Sequence, residues 1–280
     1  MSILTKALLV KLSISQFNPK RQDTKTTKEV LNAKQAKATA GVWVKNLIDP
    51  KTLDAIMSVA QASRQEHYKL SLPWRDEGWR ILPTAMYQKY YDTLRTQRLK
   101  FQGQVTQFIE KYPEYIQEAQ SVLNSMFNPN DYPSVSKVQS KFGFSVDFAP
   151  LPSGNDFRIN LASDKLEAIQ QNVDKQVAEA TTQAMKDLWV RLADPVKKIV
   201  DKLSEPEAIF RDSLIGNLTE IIDLIPSLNV TDNQDLLKLT EECKKQLTTY
   251  NPEILRLNKD VRADTANKAQ EILKRMEGYL

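Results

Sequence analysis

Apolar and polar positions alternate with a period of two near the start of the chain. Leu8, Val10, Leu12 and Ile14 stand against Leu9, Lys11, Ser13 and Ser15, which predicts a strand that Asn18-Pro19 ends. Residues 20–40 hold Lys, Thr, Gln and Ala, with only Val30 and Leu31 as large apolar side chains. They read as a helix with a thin apolar stripe or as a basic arm that orders on a partner. After Asp49-Pro50 the period becomes helical: Asp49 suits an N-cap and Pro50 the first helical position. Leu53, Ile56, Met57 and Ala60 keep that spacing toward Leu70. Residues 70–83 are turn-rich and contain Trp74 and Trp79, with a short strand predicted at Arg80 to Leu82.

Two series of seven-residue spacing follow. Leu94, Phe101, Phe108, Tyr115 and Val122 form one, and Val105, Tyr112, Ala119 and Met126 the other. Together they mark one seam of a long helix, as in a helical hairpin or coiled coil, with a kink or break expected at Pro113. Phe142, Phe144, Val146 and Phe148 alternate with Gly143, Ser145, Asp147 and Ala149, a second clear strand. From Ser163, a candidate N-cap, a helix is predicted to Leu203 with a kink at Pro195. Helices are then predicted from Glu205-Pro206 to before Pro226, from an Asp232 cap to Thr249, for a short piece at Asn251-Pro252, and from Lys259 to Glu277.

The expected fold is mostly α (α+β), an elongated helical hairpin or coiled-coil stalk with a small two- or three-stranded β element. In chain order this divides into a basic α+β region at 1–83, a long helical arm at 84–135, a strand and loop at 136–160 and a C-terminal helical region at 161–280.

Composition narrows the chemistry. The chain has one histidine, His67, one cysteine, Cys243, and seven glycines. This leaves no Cys/His metal set and no glycine-rich phosphate loop, and it excludes an intramolecular disulfide framework, so a reducing compartment, the cytoplasm, is expected. Hydrophobic residues at 41% and charged residues at 26% suit a folded chain rather than a disordered one. No apolar run approaches the ~18 residues that span a bilayer, and no small-residue cleavage site follows the apolar start, so neither a membrane span nor a signal peptide is expected.

The net charge of +4 is unevenly placed. Residues 1–112 hold 19 Lys and Arg against 9 Asp and Glu, a net +10, while residues 113–280 hold 20 against 26, a net −6. Such polarity suits a polyanion, an acidic partner, head-to-tail self-association, or simply a solvated surface.

Candidate sites follow from these patterns. Lys20, Arg21, Lys25, Lys28, Lys34, Lys37 and Lys45, extended by Arg95, Arg98 and Lys100, form a candidate nucleic-acid surface, with Trp43, Tyr90 and Tyr91 as possible stacking residues. Leu94, Phe101, Val105, Phe108, Tyr112 and Tyr115 form a candidate interaction seam. His67 and Cys243 read as structural. Asp147, Asp156, Glu220 and Asp223 are the carboxylates weighed as metal ligands, without a convincing second acid beside Asp147, and no cofactor is expected.

The stretch from Phe210 to Asp232 (Phe-Arg-Asp-Ser-Leu-Ile-Gly-Asn-Leu-Thr-Glu-Ile-Ile-Asp-Leu-Ile-Pro-Ser-Leu-Asn-Val-Thr-Asp) and the strand Phe142-Gly143-Phe144-Ser145-Val146-Asp147-Phe148 resemble an uncharacterised family of bacteriophage and prophage proteins. The likeness covers most of the chain. Genes of that family lie beside a MoxR-type AAA+ ATPase and a von Willebrand A-like protein. The resemblance implies a non-enzymatic accessory role in the host cytoplasm, through helix-mediated protein contact or self-assembly. It carries over no functional residues. Sequence-independent DNA binding through the basic N-terminal region is the alternative, and a metal-dependent hydrolase a third reading.

Overall fold

The computed structural model describes residues 3–75, 78–154, 163–205 and 207–280. Among them the chain forms nine α-helices and six strands. In order these are β1 (Ala7–Ser15), β2 (Lys20–Gln22), α1 (Thr24–Ala33), β3 (Val44–Asn46), α2 (Asp54–Lys69), β4 (Leu72–Pro73), β5 (Trp79–Pro83), α3 (Tyr87–Leu123), α4 (Val135–Gln139), β6 (Gly143–Ala149), α5 (Ser163–Leu203), α6 (Ser213–Leu228), α7 (Gln234–Leu247), α8 (Pro252–Leu257) and α9 (Lys259–Met276). The protein is mostly α with a small β element, as the alternating periods predict. The β element exceeds the two or three strands expected. One sheet has the order β4-β5-β1-β6, and β2 and β3 form a separate ribbon.

Two compact units emerge, and neither is continuous in sequence. The first comprises Met1–Lys11, Tyr68–Tyr90 and Asp147–Leu280, the second Leu12–His67 and Tyr91–Val146. The four consecutive regions expected from the sequence do not coincide with them, because β1, α2, α3 and β6 each contribute residues to both.

In the first unit α5 packs against α9, α6 and β4, and α7 packs against α9 and α6. Its core includes Leu188, Leu192, Val196, Ile199, Leu218, Ile225, Leu236 and Ile272. β5 pairs antiparallel with β1, setting Leu9 opposite Ile81 and Lys11 opposite Trp79. Trp189 stacks on Tyr279 with centroids 4.2 Å apart.

The second unit is built on the seam of α3. Phe101, Phe108 and Tyr112 are buried with Phe17, Ile48, Leu53, Ile56, Ala60 and Val138. Phe142 and Phe144 of the β6 region close over them, with Phe101 at 5.6 Å from Phe144 and Phe108 at 5.6 Å from Phe142, centroid to centroid. Gly143 lies close to Ser15 beside this contact: a Cβ there would come within 2.7 Å of Ser15 Oγ, which would have to rotate away. The seam shifts toward its end: Val122 is 76% exposed, whereas Leu123 is buried. At 3.6 residues per turn, Val122 falls about 80° from Leu94 and Leu123 about 20° from it. A strict seven-residue reading therefore misses the last turn.

Proline ends none of the three helices in which it was expected to act. Pro113 lies inside α3, Pro195 inside α5 and Pro226 inside α6. A break at Pro113 and an end before Pro226 are thus corrected. An interior proline costs about 3 kcal/mol through its lost donor and ring clash. Burial of neighbours outweighs that cost here: Leu192, Val196 and Ile199 surround Pro195, and Ile225 and Leu228 flank Pro226. The start of the next helix is also corrected. Asn233, not Asp232, caps α7 by accepting from Leu236 N at 2.9 Å. Asn229, buried, both accepts from Asn233 N and donates to Asn233 O, each at 3.0 Å. Asp232 takes a left-handed φ of 54° and pairs instead with Lys6. The helix expected from Glu205-Pro206 is corrected at its start: residues 207–212 are not helical and α6 begins at Ser213. The carbonyls of Glu205, Ala208 and Phe210 are taken by Arg262 and Arg256 instead. Pro206 itself and the Ser163 cap lie outside the described residues and side chains.

Replacing Phe108 with Ala should lower the stability of the second unit by about 3 to 5 kcal/mol in urea denaturation. Val122→Ala should change it by less than about 0.5 kcal/mol. Equal effects at the two positions would contradict the shifted seam.

Candidate functional site

The strongest departure from ordinary patterning lies in the β2–β3 ribbon of the second unit. β2 and β3 pair antiparallel with Arg21 opposite Lys45 and Gln22 opposite Val44. In β3 the exposed positions are Val44 and Asn46, and the buried one is Lys45. Polarity is inverted relative to a sheet that buries its apolar face. Such local violations mark sites where another constraint dominates.

That constraint is an ion cluster. Lys45, only 6% exposed, directs its Nζ to Asp131 Oδ2 at 2.8 Å, Asp23 Oδ2 at 3.0 Å and the Met126 carbonyl at 2.7 Å. All three ammonium donors are used. Asp131 also accepts from Arg21 Nε at 3.0 Å, so two cations face two carboxylates. Burial works against the Lys45 charge, yet its hydrogen bonds to Asp131 and Asp23 outweigh it and raise the pKa. The Asp23 carboxyl is lowered to about 2, first by the Thr26 backbone N–H and then by Lys45. Asp23 thereby does two jobs, because the same side chain caps α1 through Thr26 N at 2.9 Å. A polar cleft of about 500 Å³ lies over the cluster, lined in part by Arg21, Lys25, Glu29 and Asn128. With its charges mutually neutralised and the Lys45 donors saturated, the cluster acts as a rivet joining β2, β3, α1 and the turn after α3.

The rivet holds an exposed apolar face. Trp43 N donates to Thr27 Oγ1 at 2.8 Å, and Trp43 O accepts from Asp23 N at 2.9 Å. The backbone of Trp43 is therefore fixed on both sides. Trp43 nonetheless remains 44% exposed, in a cleft it shares with exposed Val30 and Val42. Between α1 and residues 36–43 an apolar cleft of about 270 Å³ is lined by Val30, Leu31, Ala36, Val42 and Trp43, with Lys34 among them. Lys25, Lys28, Lys34 and Lys37 are exposed on the same layer, with Glu29 the exposed acid of α1.

The structure thus separates the predicted basic residues into three groups. Lys20, Lys25, Lys28, Lys34 and Lys37 are exposed on the α1–ribbon layer. Lys45 is buried in the rivet and Arg21 is bound to it, which removes Lys45 from any polyanion surface. Arg95, Arg98 and Lys100 are exposed on α3. They precede the end of that helix by 23 residues or more, about 35 Å along its axis. Of the two tyrosines proposed to stack on bases, Tyr90 is fully buried and Tyr91 is exposed. The candidate interaction seam lies inside the chain: Leu94, Phe101, Phe108 and Tyr112 are buried, and Val105 and Tyr115 are half-buried. Its residues close their own unit's core and present no free face.

The remaining candidates are dispersed. His67 is buried in α2. Cys243 is buried in α7, and burial, then Glu242, pushes its thiol up to about 12. Asp147 and Asp223 are exposed, and Glu220 pairs with Lys69. Asp156 lies outside the described residues. No group of three metal-ligating side chains converges among the described residues, and no helix among them is long and apolar enough to cross a membrane. Sequence reasoning missed Asp131 and the exposure of Val42 and Val44. The partner that turns Lys45 inward stands 86 positions away, so no local signal marks it. No protein family, curated protein or solved structure matches this chain.

Asp23 and Lys45 should titrate only at the extremes. Asp23 stabilises the fold above its ordinary value of 3.8, and that contribution is lost as pH falls toward about 2. Lys45 contributes fully below its ordinary value of 10.5 and loses that contribution only as pH rises through its raised value. Hydrogen exchange across residues 20–46 should accelerate between pH 4 and pH 2, after correction for intrinsic rates. Lys45→Met should destabilise by about 2 to 3 kcal/mol at neutral pH. A stability unchanged by that substitution would contradict the assigned role. Native Cys243 should resist a thiol reagent at pH 8 and react once unfolded; rapid labelling of the folded chain would contradict its burial.

Proposed function

We propose that the protein is a non-enzymatic binding protein that works by holding another protein against the α1–ribbon layer. The observation that carries this reading is the Trp43 face: an exposed Trp43 on fixed backbone, with Val30 and Val42 beside it and Lys34 at its edge. Aromatic anchors with a polar, charged rim are the usual composition of protein-binding patches. A fixed anchor also loses less entropy on binding. The lysines favour an acidic partner and raise its encounter rate.

The phage accessory role is part of the same proposal and is supported only by the residues quoted for that resemblance. In such a role this chain supplies recognition in the host cytoplasm, while an ATPase partner supplies the energy. Self-association is one form the contact can take.

A second reading has one observation in its favour: Trp43 beside Lys25, Lys28, Lys34 and Lys37 is also a stacking platform for single-stranded nucleic acid. The basic track that such binding needs is short, because Arg95, Arg98 and Lys100 stand about 35 Å further along α3.

Selection from a random-peptide library against the wild-type chain, with Trp43→Ala as counter-target, separates the two. Peptides with acidic residues around a bulky apolar one should be enriched and should lose about thirtyfold in affinity for Trp43→Ala, equivalent to about 2 kcal/mol. An oligothymidylate should give no anisotropy change at physiological salt. Tight, salt-sensitive oligonucleotide binding that Trp43→Ala removes, with no peptides enriched, would replace this reading by the nucleic-acid one.

A further inference from the structure

The first unit carries a second, independently built contact surface. The loop between α5 and α6 is held by two arginines from the C-terminal helices. Arg262, only 7% exposed, donates from Nε to Leu203 O at 3.2 Å and from Nη2 to Lys202 O at 2.8 Å and Ala208 O at 3.1 Å, and it also reaches Glu205 O. Arg256 donates from Nε and Nη2 to Phe210 O at 3.3 and 3.1 Å and pairs with Asp212. Both guanidinium groups lie on the Phe210 ring, at 5.1 and 5.5 Å from its centroid. Backbone carbonyls that a loop would leave to water are therefore taken by side chains of α8 and α9, and one aromatic ring is clamped between them.

This clamp does not bury the loop's next apolar side chain. Ile209, directly before Phe210, is 92% exposed. A β-branched residue has few rotamers to lose, so its side chain is held in the solvent with little freedom. Beside it runs a mainly apolar groove of about 420 Å³, lined by Phe210 and Leu214 together with Lys198, Lys202 and Arg211. Asp201 is the one acid in that lining. Lys198 and Lys202 are four apart on α5, so their side chains are neighbours on one face.

We infer that this groove receives an acidic amphipathic helix of a partner protein. Ile209 and Leu214 contact its apolar stripe, and Lys198, Lys202 and Arg211 pair with carboxylates spaced four apart along it. The partner's sign follows from three cations facing one acid, and a helix is the form that sets an apolar stripe for Ile209 and Leu214 beside carboxylates at the spacing of Lys198 and Lys202. Arg262 and Arg256 act as positioning residues that fix the loop before the partner arrives. The inference stands apart from the Trp43 face and does not depend on it.

The test uses the full chain and a fluorescein-labelled amphipathic peptide with leucines at helical spacing and glutamates elsewhere. A peptide with lysines in place of the glutamates is the comparator. The glutamate peptide should bind, with affinity falling as salt rises, and should protect residues 198–217 from hydrogen exchange. Ile209→Asp should weaken it at least about tenfold. Lys198→Glu with Lys202→Glu should do the same, while Trp43→Ala leaves it unchanged. Since Ile209 is solvent-exposed, Ile209→Asp should keep the wild-type melting temperature, which excludes misfolding as the cause. No binding at low salt, equal binding of the lysine peptide, or indifference to Ile209→Asp would overturn the inference. So would a wild-type dimer that Ile209→Asp dissociates, which would assign the surface to a second copy of the chain.

Discussion

Lys45 places an ammonium group where the alternation of a ribbon would place a valine, and removing that charge from water is costly. It is tolerated because Asp23, Asp131 and the Met126 carbonyl take all three of its N–H donors. The consequences spread outward. The same Asp23 caps α1, so the helix and the ribbon share one carboxylate. Asp131 ties the turn after α3 to β3. With lysine turned inward, Val44 is turned outward and meets water. The exposure of Val44 is therefore a direct geometric result of a buried cation, while Trp43, in the segment before β3, is held by its own backbone bonds to Thr27 and Asp23.

The same division of labour recurs in the other unit. Helices are held by apolar packing strong enough to carry prolines through α5 and α6. Irregular segments are held by buried polar side chains that reach backbone groups far away in sequence. Arg262 takes carbonyls between residues 202 and 208, and Asn229 closes the turn before α7. Each of these groups would be costly to bury alone, and each is satisfied. Loops fixed in this way can expose apolar side chains without collapsing over them, which is how Ile209 and Trp43 remain in solvent.

This arrangement changes where recognition is sought. The long seam of α3 has the sequence character of a docking edge, yet Phe17, Phe142, Phe144 and Val138 cover it inside its own unit. The two apolar surfaces described above centre instead on Trp43, in the segment before β3, and on Ile209, in the loop after α5, positions where binding residues are commonly carried on a rigid support. Lysines and an arginine border both surfaces, so acidic partners are favoured at each.

From the sequence alone, element type was legible wherever a long period ran undisturbed: β1, α2, α3, β6, α5 and α9 all appear near their expected bounds. The absence of a cysteine and histidine repertoire was equally plain. Element ends near proline were not legible, because Pro113, Pro195 and Pro226 are judged by the burial of their neighbours, and burial is a tertiary quantity. Nor was the fate of the basic segment. Seven cations between residues 20 and 45 look alike in sequence, but only Lys45 is buried, between Asp23 and Asp131, while Arg21 reaches Asp131 from the surface, and those meetings in space decide which charges face water. Local residues set the periods; contacts between residues dozens of positions apart decided which faces were covered, because a charge can be buried only where a distant partner is brought to it.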